Sequence, residues 1–195
     1  APFLSALDGQ EAARAVVTHR DHFETPSSEA DLRAFFGLGN LTEEGLLAQV
    51  FTGCEADLCH KLEKLLDANN SRQAKSKRIL KSYDWSRHSL SSLGALEAIF
   101  VNGSDVKNAP DEARGDKLFN AQVRASMGED FPALCDFMER LAEARPKRRA
   151  LRVLEKSHAL HQFAPDFLAR YDRAKERRGW LDFDDLIRLT KRLLT

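Results

Sequence analysis

Apolar side chains recur at helical spacing along residues 147–178, the longest periodic segment of the chain. Such spacing gathers them on one face of an α-helix, whereas a strand would alternate them between two faces. Pro146 predicts the end of the preceding helix, and Pro165 predicts a kink or a restart of this one. The residues that share the face are Leu160, Phe163, Ala164, Phe167, Leu168, Tyr171 and Ala174.

Shorter segments with the same periodicity fill most of the remaining chain. Ser28, Thr42 and Ser89 have the side chains that cap a helix N-terminus, and each precedes an apolar helical pattern. Turn-forming residues crowd 102–116, which predicts a surface loop or a small two-stranded hairpin there. We therefore predict an all-α, multi-helix fold in which this stretch is the one non-helical element. The predicted helical segments are 3–23, one after Ser28, 42–53, 54–70, 71–83, one after Ser89, 117–127 and 130–144.

The overall composition is that of a soluble globular protein. Hydrophobic residues make up 43% of the 195 residues and charged residues 31%, and no apolar run approaches the roughly 20 residues of a membrane span. The first residue is Ala1, and no basic segment followed by an apolar one precedes the first helix, so we expect an excerpted, cytoplasmic chain without a membrane partner. The three cysteines are expected to be reduced thiols.

The stretch from Arg177 to Ile187 has the sequence pattern of a junction between two helices. Gly179 predicts the end of one basic helix, and Asp182 predicts the N-cap of the next. Asp184 and Asp185 then lie in its first turn, where the helix dipole favours negative charge. The apolar positions of this second helix are Phe183, Leu186, Ile187, Leu189, Leu193 and Leu194. Because they spread over a broad face, we expect the helix to be buried on more than one side.

The sequence from Tyr171 to Ile187 resembles a segment of UvrD-like superfamily 1 DNA helicases. In that family a basic helix, a short turn and a second helix lead out of accessory subdomain 1B and back into the first motor domain. The segment is most similar to the AddA subunit of bacterial AddAB helicase–nucleases and to relatives such as RecB. Trp180 departs from the smaller aliphatic residue that is common there. The matching motif residues are Leu181, Asp182, Phe183, Asp184, Asp185, Leu186 and Ile187.

The resemblance implies a domain layout and a function for the parent polypeptide. Residues 1–178 would form a 1B-like helical subdomain, and residues 179–195 would form the junction helix that leads back to the motor domain. The parent would bind ATP and magnesium through motifs outside this chain and unwind DNA ahead of resection by nuclease domains, in double-strand-break repair and recombination. The implied partners are a single-strand/duplex DNA junction and the motor domain in cis, while contact with an AddB-like subunit stays open.

This chain by itself is not expected to hydrolyse ATP or to hold a cofactor. A phosphate-binding loop needs a Gly-Lys pair at its end, and the sequence contains none. Asp111 and Glu112 resemble the acidic box of ATPase motors, but no apolar strand precedes them. We therefore place no catalytic residue in this chain.

Positive charge is concentrated in two stretches although the formal net charge is zero. Residues 71–88 hold six basic residues against one acidic residue, and residues 145–178 hold eleven against four. Solvated helix faces would explain such runs, but a helicase also needs sequence-independent contacts to phosphate. The candidate DNA-binding residues are Lys75, Lys77, Arg78, Lys81, Arg145, Lys147, Arg148, Arg149 and Arg152. Arg170, Arg173, Arg177 and Arg178 are instead expected to line the junction with the motor domain.

Two other function classes remain as alternatives. A free-standing helical module without catalytic activity would use its charged faces on protein partners. A metal-dependent enzyme would use Asp182, Asp184 and Asp185, for which helix capping is a sufficient explanation, or a cysteine–histidine set. That set consists of Cys54, Cys59, His60, His158 and His161. It lacks the tight Cys-x-x-Cys spacing of structural zinc sites, so we predict no metal site.

Overall fold

The computed structural model describes residues 6–23, 25, 27–68, 70–103, 111–115, 119–181 and 183–194. Within these ranges the chain forms nine α-helices and a 3-10 turn at Arg20–Phe23. The predicted all-α, multi-helix fold is thus confirmed. The helices are α1 (Ala6–Thr18), α2 (Glu29–Phe35), α3 (Glu43–Val50), α4 (Glu55–Leu65), α5 (Ser71–Ser82), α6 (Leu90–Phe100), α7 (Ala121–Met127), α8 (Asp130–Arg178) and α9 (Phe183–Leu194).

Three helices begin where the sequence predicts. The side chains of Ser28, Thr42 and Ser89 each accept a hydrogen bond from the backbone N–H three residues further on. Each bond satisfies one of the backbone donors that a helix N-terminus leaves without an intrahelical partner. Short polar side chains therefore determine the starts of α2, α3 and α6.

Helix α8 runs for 49 residues and contains three prolines, of which Pro132 lies in the first turn and Pro146 and Pro165 lie inside the helix. The prediction that Pro146 ends a helix is wrong, and the helix does not restart at Pro165 either. An internal proline costs about 3 kcal/mol, but the buried apolar positions stay in helical phase on both sides of each proline. The packing of buried side chains on both sides of each proline thus outweighs the local cost. The buried apolar side chains of α8 are Leu134, Phe137, Met138, Leu141, Ala144, Leu151, Leu154, Ala164 and Leu168.

The predicted loop or hairpin near 102–116 contains a single antiparallel bridge in its described part. Val101 pairs with Ala113. The N–H of Asn102 donates to the carbonyl of Glu112 at 2.8 Å, and the N–H of Arg114 donates to the carbonyl of Phe100 at 2.9 Å. Residues 104–110 and 116–118 lie outside the described residues.

The chain divides into two compact units. Unit 1 comprises Ala1–Gly37 and Val153–Thr195, and unit 2 comprises Leu38–Arg152. Helix α8 contributes its residues up to Arg152 to unit 2 and its remaining residues to unit 1. The predicted division at 178/179 concerns the layout of the parent polypeptide and stays a prediction.

Unit 2 has the larger apolar core. Its fully buried side chains come from α3, α4, α5, α6, α7 and the first part of α8. Aromatic rings meet at the centre, where Phe100 and Phe137 pack edge to face with ring centroids 5.8 Å apart. The largest fully buried residues are Leu46, Leu62, Leu80, Leu93, Leu96, Ile99, Phe100, Met127, Leu134, Phe137, Met138 and Leu141.

Unit 1 has a small core built around the C-terminal part of α8. Val16 and Phe23 pack against Ala164 and Leu168, and all four are buried. An ion pair supports this contact, since the guanidinium of Arg20 donates to both carboxylate oxygens of Asp172, at 3.3 and 2.7 Å. The first helix and the 3-10 turn are thereby attached to α8.

Candidate nucleic-acid interface

Helix α5 presents unpaired positive charge to solvent. Its sequence from Ser71 to Ser82 contains five basic residues and no acidic one. Lys75, Arg78 and Lys81 are exposed, and within the described part of the chain none of them has a hydrogen-bond or ion-pair partner. A spacing of three residues turns each side chain by about 60° from the last, so the three span about 120°, roughly a third of the helix circumference. We call Lys75, Arg78 and Lys81 the α5 patch.

The fourth predicted contact on α5, Lys77, has a structural role. Its side chain is half-buried, and its Nζ donates to the backbone carbonyl of Leu66 at 3.0 Å. Leu66 follows the last residue of α4, where helix carbonyls lack intrahelical partners. Lys77 therefore holds α5 against the end of α4.

Two arginines of the second predicted patch belong to a buried ion-pair triad. Arg148 donates from Nε and Nη2 to the two carboxylate oxygens of Glu97, at 2.6 and 2.8 Å. Arg145 reaches the same carboxylate, with Nε 3.4 Å from Oε2. The side chain of Glu97 is 3% exposed, against 14% for Arg145 and 13% for Arg148. These two guanidiniums compensate a buried carboxylate, and we call the three residues the Glu97 triad.

The rest of the second predicted patch is exposed and has polar neighbours. Lys147, Arg149 and Arg152 lie on the solvent side of α8. Since each already has a polar neighbour, this group is less available to a polyanion than the α5 patch. The neighbours are Gln49, 3.3 Å from Lys147 Nζ; Asp111, 3.3 Å from Arg149 Nη1; and the hydroxyl of Ser91, a neighbour of Arg152 Nη2.

Asp111, which with Glu112 resembles the acidic box of ATPase motors in sequence, takes part in these ion pairs. Its Oδ1 lies 2.9 Å from Arg145 Nη1, and its backbone has a φ of 60°. The adjoining residues make the isolated bridge with Val101. The environment of Asp111 is thus one of arginines.

A second buried carboxylate, Glu55, organises the turn before α4. It accepts hydrogen bonds from the N–H and hydroxyl of Thr52 at 3.0 and 2.7 Å, from the N–H of Gly53 at 2.8 Å and from Arg140 at 2.5 Å. Burial alone would raise the pKa of Glu55, but the hydrogen bonds from Thr52 and Gly53 outweigh it and lower the pKa to about 2. Glu55 is therefore ionised throughout the neutral range.

The predicted stop at Gly179 is confirmed in detail. Gly179 has a φ of +65°, its N–H donates to the carbonyl of Glu176 at 3.1 Å, and the N–H of Trp180 donates to the carbonyl of Lys175 at 3.0 Å. This pair of bonds is the Schellman motif, which needs a left-handed residue that glycine adopts without strain. The motif turns the chain back at Trp180.

The family-motif residues after this turn place an aspartate on α8. The carboxylate of Asp185 pairs with the ammonium of Lys175, and both side chains are largely buried. Asp182 and the side chain of Asp184 lie outside the described residues, so the predicted N-cap and the magnesium alternative stay untested there. The sequence analysis did not predict this salt bridge, whose two residues lie ten positions apart on either side of the helix junction.

The prediction that α9 is buried on more than one side is wrong for this chain. Among its described side chains the large apolar ones are 42% to 86% exposed. A broad apolar face leads to burial only where a partner surface exists, and the described part of the chain does not provide one. The exposed residues are Phe183, Leu186, Ile187, Leu189, Leu193 and Leu194, with Leu181 just before them.

The cysteines and histidines of the zinc alternative have separate environments. Cys54 is exposed and Cys59 is buried, and burial together with the nearby Glu55 carboxylate raises the pKa of the Cys59 thiol. His161 Nδ1 accepts the N–H of Ser27 at 3.3 Å. Among the described residues, no three His, Cys, Asp or Glu side chains come together as a metal site would require.

Comparisons with known proteins give no match. No protein-family model matches the chain, no curated protein matches its sequence, and no solved structure matches its fold. In the part of the chain that the structure describes, no helix has both the length and the apolar character needed to cross a membrane.

Proposed function

We propose that this chain is a DNA-contacting accessory unit, of subdomain 1B type, in an AddA-like ATP-dependent DNA helicase–nuclease. The parent polypeptide would act in the cytoplasm in double-strand-break repair and recombination. The observation that carries the DNA contact is the α5 patch, three exposed cations that have no partner among the described residues, on a helix that has no acidic residue. The motif between Tyr171 and Ile187 supports the family assignment.

The chemistry of the α5 patch suits a contact that ignores base sequence. Lys and Arg side chains that neutralise phosphates release condensed counterions, and this release supplies most of the non-specific affinity for DNA. Phosphate contacts also fix the register of a protein on DNA without reading bases. A translocating enzyme needs contacts of this kind. The Glu97 triad is not part of this proposal, because its arginines already compensate a buried carboxylate.

The contribution of the chain to catalysis is indirect. ATP and magnesium would bind to the motor domain of the parent, and strand cleavage would occur in its nuclease domains. The exposed apolar face of α9 supports this placement, because contiguous apolar patches on a protein surface mark sites where another protein surface docks. In the proposed parent, the covering surface is the motor domain in cis.

Fluorescence anisotropy with a labelled single-strand/duplex junction tests the proposal. The variant Lys75→Ala/Arg78→Ala/Lys81→Ala should bind about tenfold or more weakly at near-physiological salt, because three phosphate contacts are lost. The matched control removes three exposed cations elsewhere, as Arg14→Ala/Arg87→Ala/Lys156→Ala. It should keep most of the affinity. If both variants lose affinity for the DNA junction equally, the effect comes from net charge alone, and the α5 patch is not a defined DNA interface.

A second candidate function is a helical protein-interaction module, which the exposed apolar face of α9 also favours. The two candidates differ in what the neighbouring reading frame encodes. The helicase proposal requires a phosphate-binding loop ending in Gly-Lys-Ser or Gly-Lys-Thr upstream, and an apolar strand followed by Asp-Glu downstream. Stop codons on both sides would favour the module.

A further inference from the structure

An open cavity at the C-terminal end of α8 has aromatic and cationic walls. It measures about 370 Å³ and is lined by Tyr171, Ala174, Lys175, Arg178, Trp180 and Leu181, all within unit 1. The residue Trp180 is 60% exposed, and the guanidinium carbon of Arg178 lies 4.8 Å from the centroid of its indole ring. The ammonium of Lys175 lies 5.3 Å from the ring centroid of Tyr171. Two aromatic rings, each with a cation beside it, therefore border one space.

The backbone fixes the position of Trp180 at this cavity. The Schellman motif at Gly179 folds the chain back, so that the Trp180 N–H bonds to the carbonyl of Lys175. Trp180 is thereby held beside the last turn of α8. The ion pair with Asp185 holds the side chain of Lys175, which also lines the cavity. The cavity is thus preformed by hydrogen bonds and an ion pair.

A row of stacked rings continues from the cavity along α8. Phe167 stacks on Tyr171 with centroids 6.1 Å apart, and Phe163 stacks on Phe167 with centroids 5.2 Å apart. Phe163, at the far end of the row, is 46% exposed. Phe167 and Tyr171 are partly buried, and Phe167 packs against the small core of unit 1, so Phe163 is the most exposed of the three rings.

Positive charge borders this aromatic row on its solvent side. At 3.6 residues per turn, Arg170, Arg173 and Arg177 follow one edge of the row, and the opposite edge faces the core through Ala164 and Leu168. The three arginines are exposed, and Asp166 is the one acidic residue along the same edge. Aromatic faces with arginines beside them suit a ligand that has both flat rings and phosphates.

We propose that the cavity between Trp180 and Tyr171 binds an unpaired base of single-stranded DNA, with the adjoining phosphates on the exposed arginine edge of α8. The inference rests on the proposed DNA contact and assigns it a second site that grips the single strand. Arg170, Arg173 and Arg177 would then face DNA instead of lining the junction with the motor domain, as the resemblance led us to expect. Every base has a π-face, so stacking on an aromatic ring tolerates any sequence. In a duplex the bases are already stacked and paired, so the cavity discriminates between single and double strands. The rival reading, an apolar docking site for a protein, predicts no dependence on bases.

The experiment compares two labelled strands of about 20 units, one of oligothymidylate and one of abasic linker with the same phosphates. Both are titrated into the full chain, into Trp180→Ala and into Trp180→Phe, after circular dichroism has shown equal helix content. Trp180→Ala should weaken oligothymidylate binding about 5- to 150-fold and leave the abasic strand unaffected. Trp180→Phe, which retains a ring, should recover part of the loss.

Intrinsic fluorescence gives a second readout of the same contact. In a Trp85→Phe background Trp180 is the remaining indole, and the substitution costs no hydrogen bond, since the buried Trp85 Nε1 has no partner among the described residues. Oligothymidylate should then quench the emission, and the abasic strand should not.

The outcomes separate this inference from the proposed function. If Trp180→Ala binds oligothymidylate as tightly as the unsubstituted chain does, base stacking at this cavity is refuted. The same holds if the substitution weakens binding of the two strands equally. The DNA contact still stands in that case, provided that the variant lacking the α5 patch binds more weakly than its control. If no strand binds at any salt concentration, both proposals fail.

Discussion

Replacement of Glu97 by glutamine tests whether the arginines of the second basic stretch are structural. The substitution keeps size and shape but removes the charge that Arg145 and Arg148 share. Removing one partner of a fully buried ion pair costs about 3 to 5 kcal/mol, because the remaining charge is left uncompensated. The two arginine side chains are 14% and 13% exposed, so we expect a somewhat smaller loss of about 2 to 4 kcal/mol in the free energy of unfolding of unit 2.

Urea denaturation followed by tryptophan fluorescence measures this loss. Trp85 lies in unit 2, so a Trp180→Phe background reports the unfolding of that unit alone. The matched control is Glu143→Gln, the same change at an exposed position on α8, which should alter stability by no more than about 0.5 kcal/mol. If Glu97→Gln falls within the range of this control, the triad does not stabilise the fold, and Arg145 and Arg148 return as candidates for DNA contact.

Three further predictions concern stability. Glu55 has a folded-state pKa of about 2 against its ordinary value of 4.5, so its stabilisation, about 1 to 3 kcal/mol, is complete above pH 4.5 and is lost as the pH falls towards 2. Glu55→Gln should therefore flatten the acid limb of stability measured against pH. Pro146→Ala, at an exposed position inside α8, should raise the free energy of unfolding by about 1 to 3 kcal/mol, whereas an unchanged or lower value would mean that the proline is built into the packing. Gly179→Ala should lower the free energy of unfolding by about 1 kcal/mol, because a φ of +65° disfavours a side chain at this position. Thermal melts measure the difference, and equal melting temperatures for the two proteins would mean that the turn relaxes to accommodate alanine.

Local signals made most of the fold predictable. Capping side chains at Ser28, Thr42 and Ser89 act within three residues of themselves, and the effect of Gly179 is equally local. Signals of this kind depend only on neighbouring residues, so the sequence alone is enough to predict their effect. The error at Pro146 has the opposite origin, since an unfavourable local residue is outweighed by the packing of buried side chains before and after it.

The candidate site was only partly predictable, because charge counting ignores distant partners. Arg148 and Glu97 lie 51 residues apart, so the sequence shows a basic run and hides its compensation. One signal was available, namely that Glu97 is the one acidic residue in the otherwise apolar helix α6. A lone carboxylate in such a helix is expected to need a buried cation. The α5 patch, by contrast, lies on a helix without an acidic residue, and its nearest acidic neighbour in sequence, Asp84, comes after the helix has ended.

The exposure of α9 follows the same principle. Its apolar residues are evident in the sequence, but burial depends on a partner surface that no local pattern specifies. The cavity at Trp180 likewise depends on how Gly179 redirects the chain. The sequence analysis named Gly179 and Trp180, but it did not predict the cavity that Trp180 and Tyr171 line.

The salt dependence of DNA binding tests the central claim most directly. The logarithm of the association constant should fall linearly with the logarithm of salt concentration, with a slope that counts phosphate contacts at about 0.7 to 0.9 each. Replacing Lys75, Arg78 and Lys81 by alanine should reduce the magnitude of this slope by about 2 to 3, while the Arg14, Arg87 and Lys156 control should leave it nearly unchanged. Equal slopes for the unsubstituted chain and the α5-patch variant would show that α5 does not contact phosphate and would contradict the proposed DNA contact.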